Sequence, residues 1–223
     1  MRIGVDSGGT FTDIALYDET AGTIAVWKLG STPGDPSQAI AAGVAEAISR
    51  FAPPGAVVGY FGHGTTVATN AVIERKGALT GLLTTEGFRD VLEIGRQTRP
   101  SQFNLRRHRA AALAGREHRL EVAERTSWDG EVLRPLDTAG VLRAAKQLRA
   151  AGVEAIAVSL INSYRNPDHE RAIGVLLREL LPDVFVTLST EIAPEYREYE
   201  RTATAVANAY VGPLMARYLA RLG

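Results

Sequence analysis

Cysteine is absent from all 223 residues, which excludes disulfides, a thiolate nucleophile and any Cys-based zinc site. A surplus of charge of one sign is also missing. Lys+Arg and Asp+Glu both number 25, so no global field draws the chain to nucleic acid or to an anionic membrane, and neither is expected as a partner. No apolar run approaches the ~20 residues that a membrane helix needs. The start, Met1-Arg2-Ile3-Gly4-Val5-Asp6, meets an acid before the h-region of a secretory signal can form. These absences together lead us to expect a cytoplasmic protein. There is no internal repeat and no low-complexity tract. Ser/His/Asp triad spacing, a Walker A loop and a dinucleotide fingerprint are lacking too. What is present is an ordinary globular composition, 45% hydrophobic and 22% charged, in a chain long enough for one large domain or two small ones.

The pattern opens with three strands in a meander, Arg2–Asp6, Phe11–Tyr17 and Thr23–Leu29, with a turn at Asp18–Gly22. After a loop with Pro33 and Gly34, Asp35 is a good N-cap, Pro36 suits the first helical position and Gln38 suits a capping-box partner. The helix predicted there runs to about Phe51, with Ile40, Val44, Ala47, Ile48 and Phe51 on one stripe, and Pro53-Pro54-Gly55 stops it. A buried strand is expected from Ala56 to Gly62. A helix from Val67 to Lys76 follows, with Gly77 as a left-handed cap, then a strand over Leu79–Thr84 and a helical segment over Gly87–Ile94. Residues 96–135 are locally basic through Arg96, Arg99, Arg106, Arg107, Arg109, Arg116 and Arg119, and hold a hairpin turning at Asp129-Gly130. Beyond Leu136 come a helix (137–151), a strand (Ala155–Ile161), a helix (Pro167 to about Leu181) and a strand (Val184–Leu188), whose strands should be parallel. A long helix from Pro194 buries Tyr196, Tyr199, Ala203, Val206 and Tyr210, and Gly212-Pro213 should kink or break it.

The chemistry concentrates in Val5-Asp6-Ser7-Gly8-Gly9-Thr10-Phe11-Thr12-Asp13. An apolar strand runs into a lone Asp, then into two glycines and several hydroxyls. A Gly-Gly hairpin tip can bring bare backbone N–H groups against a phosphate, because no Cβ blocks the approach. An Asp at the end of the incoming strand can hold a hydrated Mg²⁺ beside it. The competing reading is a tight turn and nothing more.

The element order bears on that choice. The run β-β-β-α-β-α-β over residues 1–95 is the order of a ribonuclease-H-like unit, the building block of actin-like ATPases and sugar kinases, followed here by a further α/β segment over 96–190 and the long helix of 191–223. This is a fold analogy and carries no activity by itself. Nucleases of the same unit need several carboxylates around two metals, whereas the fourth strand here ends in Gly62-His63-Gly64 with no acid, so the phosphate reading is favoured. Asp6 would then hold Mg²⁺ through water. Gly8, Gly9 and Thr10 would donate to the phosphates of ATP, with Thr12 assisting. Asp13 is either a second metal ligand or an exposed turn acid. His63, Thr65 and Thr66 stand where a strand meets a helix and can face substrate or the transferred phosphoryl group; plain N-capping by the threonines competes with that. Asn70, one turn on, can point the same way. Glu195–Thr202 reads as a solvated helical face with Glu198/Arg201 and Arg197/Glu200 pairs, and the arginines of 96–119 as surface residues.

Several segments resemble the hydantoinase/oxoprolinase family, A-type subunit: Gly4–Asp13, Gly62–Ala71, Thr84–Gln97 and Glu198–Thr202. Ser7 departs from the aliphatic residue expected there. The resemblance implies an actin-like ATPase fold, ATP and Mg²⁺ as cofactors, and activation of a carbonyl or amide oxygen by phosphorylation, followed by hydrolysis of a cyclic amide such as a hydantoin or 5-oxoproline. Carboxylation of a ketone, as in acetone carboxylases, is the alternative within the family. A sugar-kinase-like enzyme and a non-catalytic interaction module are alternatives outside it. A B-type partner subunit is implied, and a homo-oligomer is an option. Family members are much longer, so the chain is expected to be incomplete relative to the two-lobed fold. Its last helix would lead towards a missing second lobe, and the isolated chain would bind ATP weakly and turn it over negligibly.

Overall fold

The computed structural model describes residues 1–32, 34–98, 101–104, 106–107 and 109–222. The expectations at Pro33 and Arg99 lie outside them. The fold is mixed α/β with two four-stranded sheets and a two-stranded ribbon. It divides into two compact units, Met1–Lys76 with Leu214–Gly223, and Gly77–Pro213.

In the first unit the meander forms as the alternation requires: β1 (Arg2–Ser7), β2 (Phe11–Asp18) and β3 (Thr23–Gly30) pair antiparallel. Ile3, Val5 and Ser7 of β1 are buried, while Arg2, Gly4 and Asp6 are exposed, the inside–outside period of a strand with one covered face. Helix α1 (Pro36–Phe51) covers the apolar face. Asp35 caps it by accepting from Ser37 N, with Pro36 at the first helical position. Its Gly43 permits close contact, since a Cβ there would lie 2.5 Å from both Ile14 Cδ1 and Leu29 Cδ2. The core joins Ile3, Val5, Ile14, Leu16, Ile40, Ala47 and Tyr218. Strand β4 (Tyr60–Thr65) pairs parallel to β1 at the edge of the sheet order β3-β2-β1-β4.

Strand β4 starts later than the apolar run suggested and is not the buried strand expected. Val57 and Val58 precede it and are exposed, as are Tyr60 and Phe61. The parallel register with β1 decides its limits: Arg2 opposes Tyr60 and Ser7 opposes Thr65, which draws His63, Gly64 and Thr65 into the strand. Helix α2 (Val67–Ile73) stops before the predicted Lys76. The left-handed residue after it is Arg75 (φ 57°), not Gly77. Gly77 serves packing instead: a Cβ there would fall 2.1 Å from Tyr210 Cε1.

In the second unit β5 (Thr80–Thr85), β6 (Arg119–Val122), β9 (Ala155–Ser159) and β10 (Phe185–Leu188) form an all-parallel sheet in the order β10-β9-β5-β6. Strands β5 and β9 are buried at every residue, as expected where both faces are covered. One face packs on α4 (Thr138–Ala150) and α5 (Asp168–Leu180) through Leu83, Leu148, Ile156, Ile173 and Leu177. The other meets α7 (Glu198–Ala220) through Leu82, Ala157, Ala205, Val206 and Ala209. Short helices α3 (Val91–Ile94) and α6 (Ser189–Ile192) follow β5 and β10. The β7 (Arg125–Thr126) and β8 (Val132–Arg134) ribbon turns at Gly130 (φ 99°).

The order β-β-β-α-β-α-β is present along the chain, but its last strand, β5, hydrogen-bonds to β6 and β9 rather than joining the first sheet. The compact-unit boundary therefore falls at Lys76/Gly77, not near residue 95. Strand β6 lies inside the segment read only as basic. Helix α7 begins at Glu198 and runs through Pro213 without ending; Tyr196, expected on its buried stripe, precedes it and is exposed.

The face read as solvated is the largest departure. Arg201 is buried, with its guanidinium hydrogen-bonded to Ser163 Oγ and Ser189 Oγ at 2.5 Å, to Leu160 O at 2.7 Å and to Glu198. It lies 3.5 Å from the equally buried Glu170. Glu170 also accepts from Leu160 N, Ser163 Oγ, Ser189 Oγ and Thr190. Glu200 pairs with Arg96 rather than Arg197. Of the arginines read as surface residues, Arg119 is buried and paired with Glu93 at 3.2 Å.

Candidate functional site

The tip Gly8-Gly9-Thr10 joins β1 to β2. Its base is closed by Gly8 N donating to Phe11 O at 3.0 Å. Ser31, at the end of β3, braces it from the side: Ser31 Oγ donates to Gly8 O (2.8 Å) and Ser31 N to Thr10 O (2.9 Å). Thr12 is fully buried, with its hydroxyl 2.9 Å from Ser31 Oγ, so it supports the hairpin from behind and does not face a ligand. Among the described residues, the N–H groups of Gly9 and Thr10 have no acceptor.

Neither Gly8 nor Gly9 has a positive φ. The turn does not need glycine for a left-handed backbone. A Cβ on Gly9 would meet only the Asn70 amide nitrogen, at 3.3 Å. What glycine preserves there is bare backbone at the wall of a cleft of about 400 Å³, lined among others by Gly8, Gly9, Ser31, Asn70, Arg217 and Arg221. The cleft lies wholly within the first unit. Its carboxylates are engaged: Asp35 with Arg221 at 3.4 Å and Glu74 with Lys76 at 2.7 Å. Bonding to the Ser37 hydroxyl, aided by Arg221, holds the Asp35 carboxyl below the ordinary carboxylate value.

The expected site residues divide between this cleft and the open face of the sheet. Gly8 and Gly9 line the cleft, as does Asn70. Thr66 Oγ1 accepts from Asn70 Nδ2 at 3.3 Å and so orients that amide. Asp6 opposes Asp13 across β1 and β2 and Gly64 across β1 and β4, on the face away from α1. Asp13 is paired with Lys28 at 2.9 Å, whereas Asp6 has no ion-pair partner among the described residues. Thr65 Oγ1 donates to Ser7 O and accepts from Val67 N, which ties it to backbone. His63 shares the core side of the sheet with Val5. Its Nε2 is hydrogen-bonded to Tyr218 Oη, and its Nδ1 is buried without a partner among the described residues. His63 therefore positions Tyr218, a wall of the cleft, and does not itself line it.

As for a metal, no group of three or more His, Cys, Asp or Glu residues capable of holding one occurs among the described residues. Asp6 alone fits an ion that keeps most of its water and takes its other ligands from phosphate. No helix among the described residues is long and apolar enough to cross a membrane. Sequence reading missed Ser31, Lys76, Arg217 and Arg221. The arginines stand some 200 positions from the hairpin, and no local pattern marks them.

A family profile described as the hydantoinase/oxoprolinase N-terminal region matches residues 2–181. Caprolactamase subunit alpha of Pseudomonas jessenii is 40% identical, over 99% of this chain and 32% of its own length. The acetophenone carboxylase gamma subunit of Aromatoleum aromaticum is 37% identical, over 94% of this chain and 31% of its own. The crystal structure of the ATP-dependent caprolactamase from Pseudomonas jessenii superposes with a TM-score of 0.89 at 38% identity, covering 100% of this chain and 33% of that one. The chain thus spans about a third of the length of the relatives it matches. By the profile and by these identities, it belongs to the hydantoinase/oxoprolinase family.

Proposed function

We propose that these residues supply the phosphate-facing side of an ATP-dependent enzyme that opens a cyclic amide by phosphorylating its carbonyl oxygen. One observation carries this reading: Gly9, whose φ is not in the left-handed region, presents bare backbone to a cleft, and its N–H and that of Thr10 have no acceptor among the described residues. At Gly8 the hairpin itself favours glycine, since a Cβ would crowd Phe11 O at 3.2 Å, but at Gly9 the turn makes no such demand, whereas an approaching phosphate would. The meander of β1 to β3, the α1 crossover and the parallel β4 support reading this unit as ribonuclease-H-like and actin-like, although β5 pairs in the other sheet, and that fold is part of the proposal.

Bound ATP with Mg²⁺ would supply the transferable phosphoryl group and neutralise its charge. Gly9 N–H and Thr10 N–H would donate to phosphate oxygens, and Asp6 would hold the ion through water. The amide oxygen attacks the terminal phosphorus, and ADP leaves with the bonding pair. Water would then add at the activated carbon, and the ring C–N bond would break with its electron pair and a proton passing to nitrogen, leaving an acyl phosphate that a second water hydrolyses to carboxylate and inorganic phosphate. Fixed donors aimed at the charge that develops are what such a transfer requires of the protein. The relative named a caprolactamase acts, by its name, on a cyclic amide, which favours hydrolysis. The match to a carboxylase subunit keeps ketone carboxylation as the second reading, with the same phosphorylation step. Both relatives are named as subunits, in keeping with a B-type partner. A sugar-kinase reading would need a carboxylate free to deprotonate a hydroxyl, and both carboxylates of the cleft are ion-paired.

The test is ADP release by the protein with its partner subunit, over a panel of lactams, hydantoins, 5-oxoproline, ketones and sugars. Release with cyclic amides, reduced by orders of magnitude in Asp6→Asn, is the expected result. Release with sugars only, or an Asp6→Asn variant of undiminished rate, would refute it.

A further inference from the structure

We propose that Arg217, on the last turn of α7, is the cation that grips the outer phosphates of a nucleoside polyphosphate in the Gly8–Gly9 cleft. The inference rests on the phosphate reading of the hairpin and adds to it a binding residue that no sequence motif marks. Among the described residues, three cations line the cleft. Lys76 is neutralised by Glu74 and Arg221 by Asp35. Arg217 lines the same cleft and has neither an ion-pair nor a hydrogen-bond partner among the described residues.

A bland explanation exists: a basic residue in the last helical turn offsets the negative end of the helix dipole, and Arg217 does sit in that turn. It accounts for a positive charge but not for the side chain's place. Residues 214, 217, 218 and 221 face the cleft together, and Tyr218 between the two arginines is fixed by His63. The helix end thus presents Arg217 to the cleft that the bare backbone of Gly9 also lines. Helix-end carbonyls repel an anion, so a phosphate here needs a local cation. With Lys76 and Arg221 paired, Arg217 is, among the described residues, the cation left to supply net charge. A guanidinium suits the task because its planar fork can grip two phosphate oxygens at once, which a lysine ammonium cannot. Selectivity follows. One phosphate can satisfy the hairpin N–H groups or Arg217, whereas a polyphosphate can bridge both.

The test titrates the full chain at low salt with inorganic phosphate, tripolyphosphate and ATP, by calorimetry and by ligand-induced thermal shift. Wild type should bind tripolyphosphate and ATP with a dissociation constant below about 10 mM, and phosphate more weakly. Arg217→Ala should weaken tripolyphosphate at least tenfold, which is about 1.4 kcal/mol, while leaving the melting temperature without ligand unchanged. Arg217→Lys should fall between. Phosphate affinity should change less than tripolyphosphate affinity in both. If Gly9→Ala abolishes binding while Arg217→Ala binds like wild type, this inference is overturned and the hairpin reading stands. If Gly9→Ala also binds like wild type, or wild type binds neither polyphosphate, both fall.

Discussion

Gly9→Ala separates the two roles a glycine can have at a hairpin tip. If Gly9 were there for the turn, alanine would strain the backbone. Its φ is not in the left-handed region, and the added Cβ would meet only the Asn70 amide at 3.3 Å, a side-chain end that can yield a few tenths of an ångström. Alanine also restricts the unfolded chain, a gain of about 0.4–1 kcal/mol. The unliganded stability of Gly9→Ala should therefore lie within about 1 kcal/mol of wild type. Binding should respond differently. Displacing an anion from two charge-assisted N–H donors forfeits about 1.5–3 kcal/mol each, enough to raise a dissociation constant about a hundredfold or more. The assay is thermal unfolding with and without tripolyphosphate. At ten times its dissociation constant the ligand adds about 1.4 kcal/mol to wild type, roughly 3–6 °C for a chain of this size. Gly9→Ala should lose that shift. An Ala variant that keeps the full shift would show that these N–H groups are not the donors. One that unfolds more than about 2 kcal/mol more easily would show that the turn itself requires glycine.

Two further outcomes follow from the surrounding structure. Arg201→Ala should cost about 3–5 kcal/mol in urea unfolding, because it leaves the buried Glu170 without its counter-charge; the double variant Glu170→Gln/Arg201→Met should recover part of this, and a loss below about 1 kcal/mol in the single variant would refute the buried-pair account. Asp35 governs acid stability at the α1 cap: the Ser37 bond and Arg221 lower its folded pKa, so its contribution is present above the unfolded value of about 3.9 and is lost as pH falls through the lowered folded value. Melting temperatures of wild type and Asp35→Asn should thus differ by a constant amount above about pH 4 and converge below it; a gap that persists into stronger acid would rule this out.

Legibility tracked locality. The β1–β2 hairpin, the α1 cap at Asp35-Pro36, and the parallel strands of 155–188 were readable because each depends on spacing within a few residues: period two, period 3.6, or a cap beside its helix. The two glycines at the hairpin tip were readable for the same reason. Thr12 was misread because its hydroxyl meets Ser31, nineteen positions on, and His63 because its ring turns to Tyr218, 155 positions on. Arg201 looked like half of a surface i,i+3 pair. The Glu198 contact does form, but three strand-end and loop groups of the second unit close over it.

By itself, then, the sequence determined most of the strands and helices, β6 and the limits of β4 excepted, and where bare backbone meets hydroxyls and an acid at a hairpin tip. Tertiary structure decided which sheet takes β5, since strand pairing is a contest among edges that no single strand encodes. It decided that Asp6 faces the open side of the sheet while Gly9 faces the cleft. It also brought Arg217 to a cleft lined by a hairpin some 200 residues away, leaving it uncompensated among the described residues. Charge balance in a cleft is a property of what folding assembles around it, and this arginine acquires its proposed role only there.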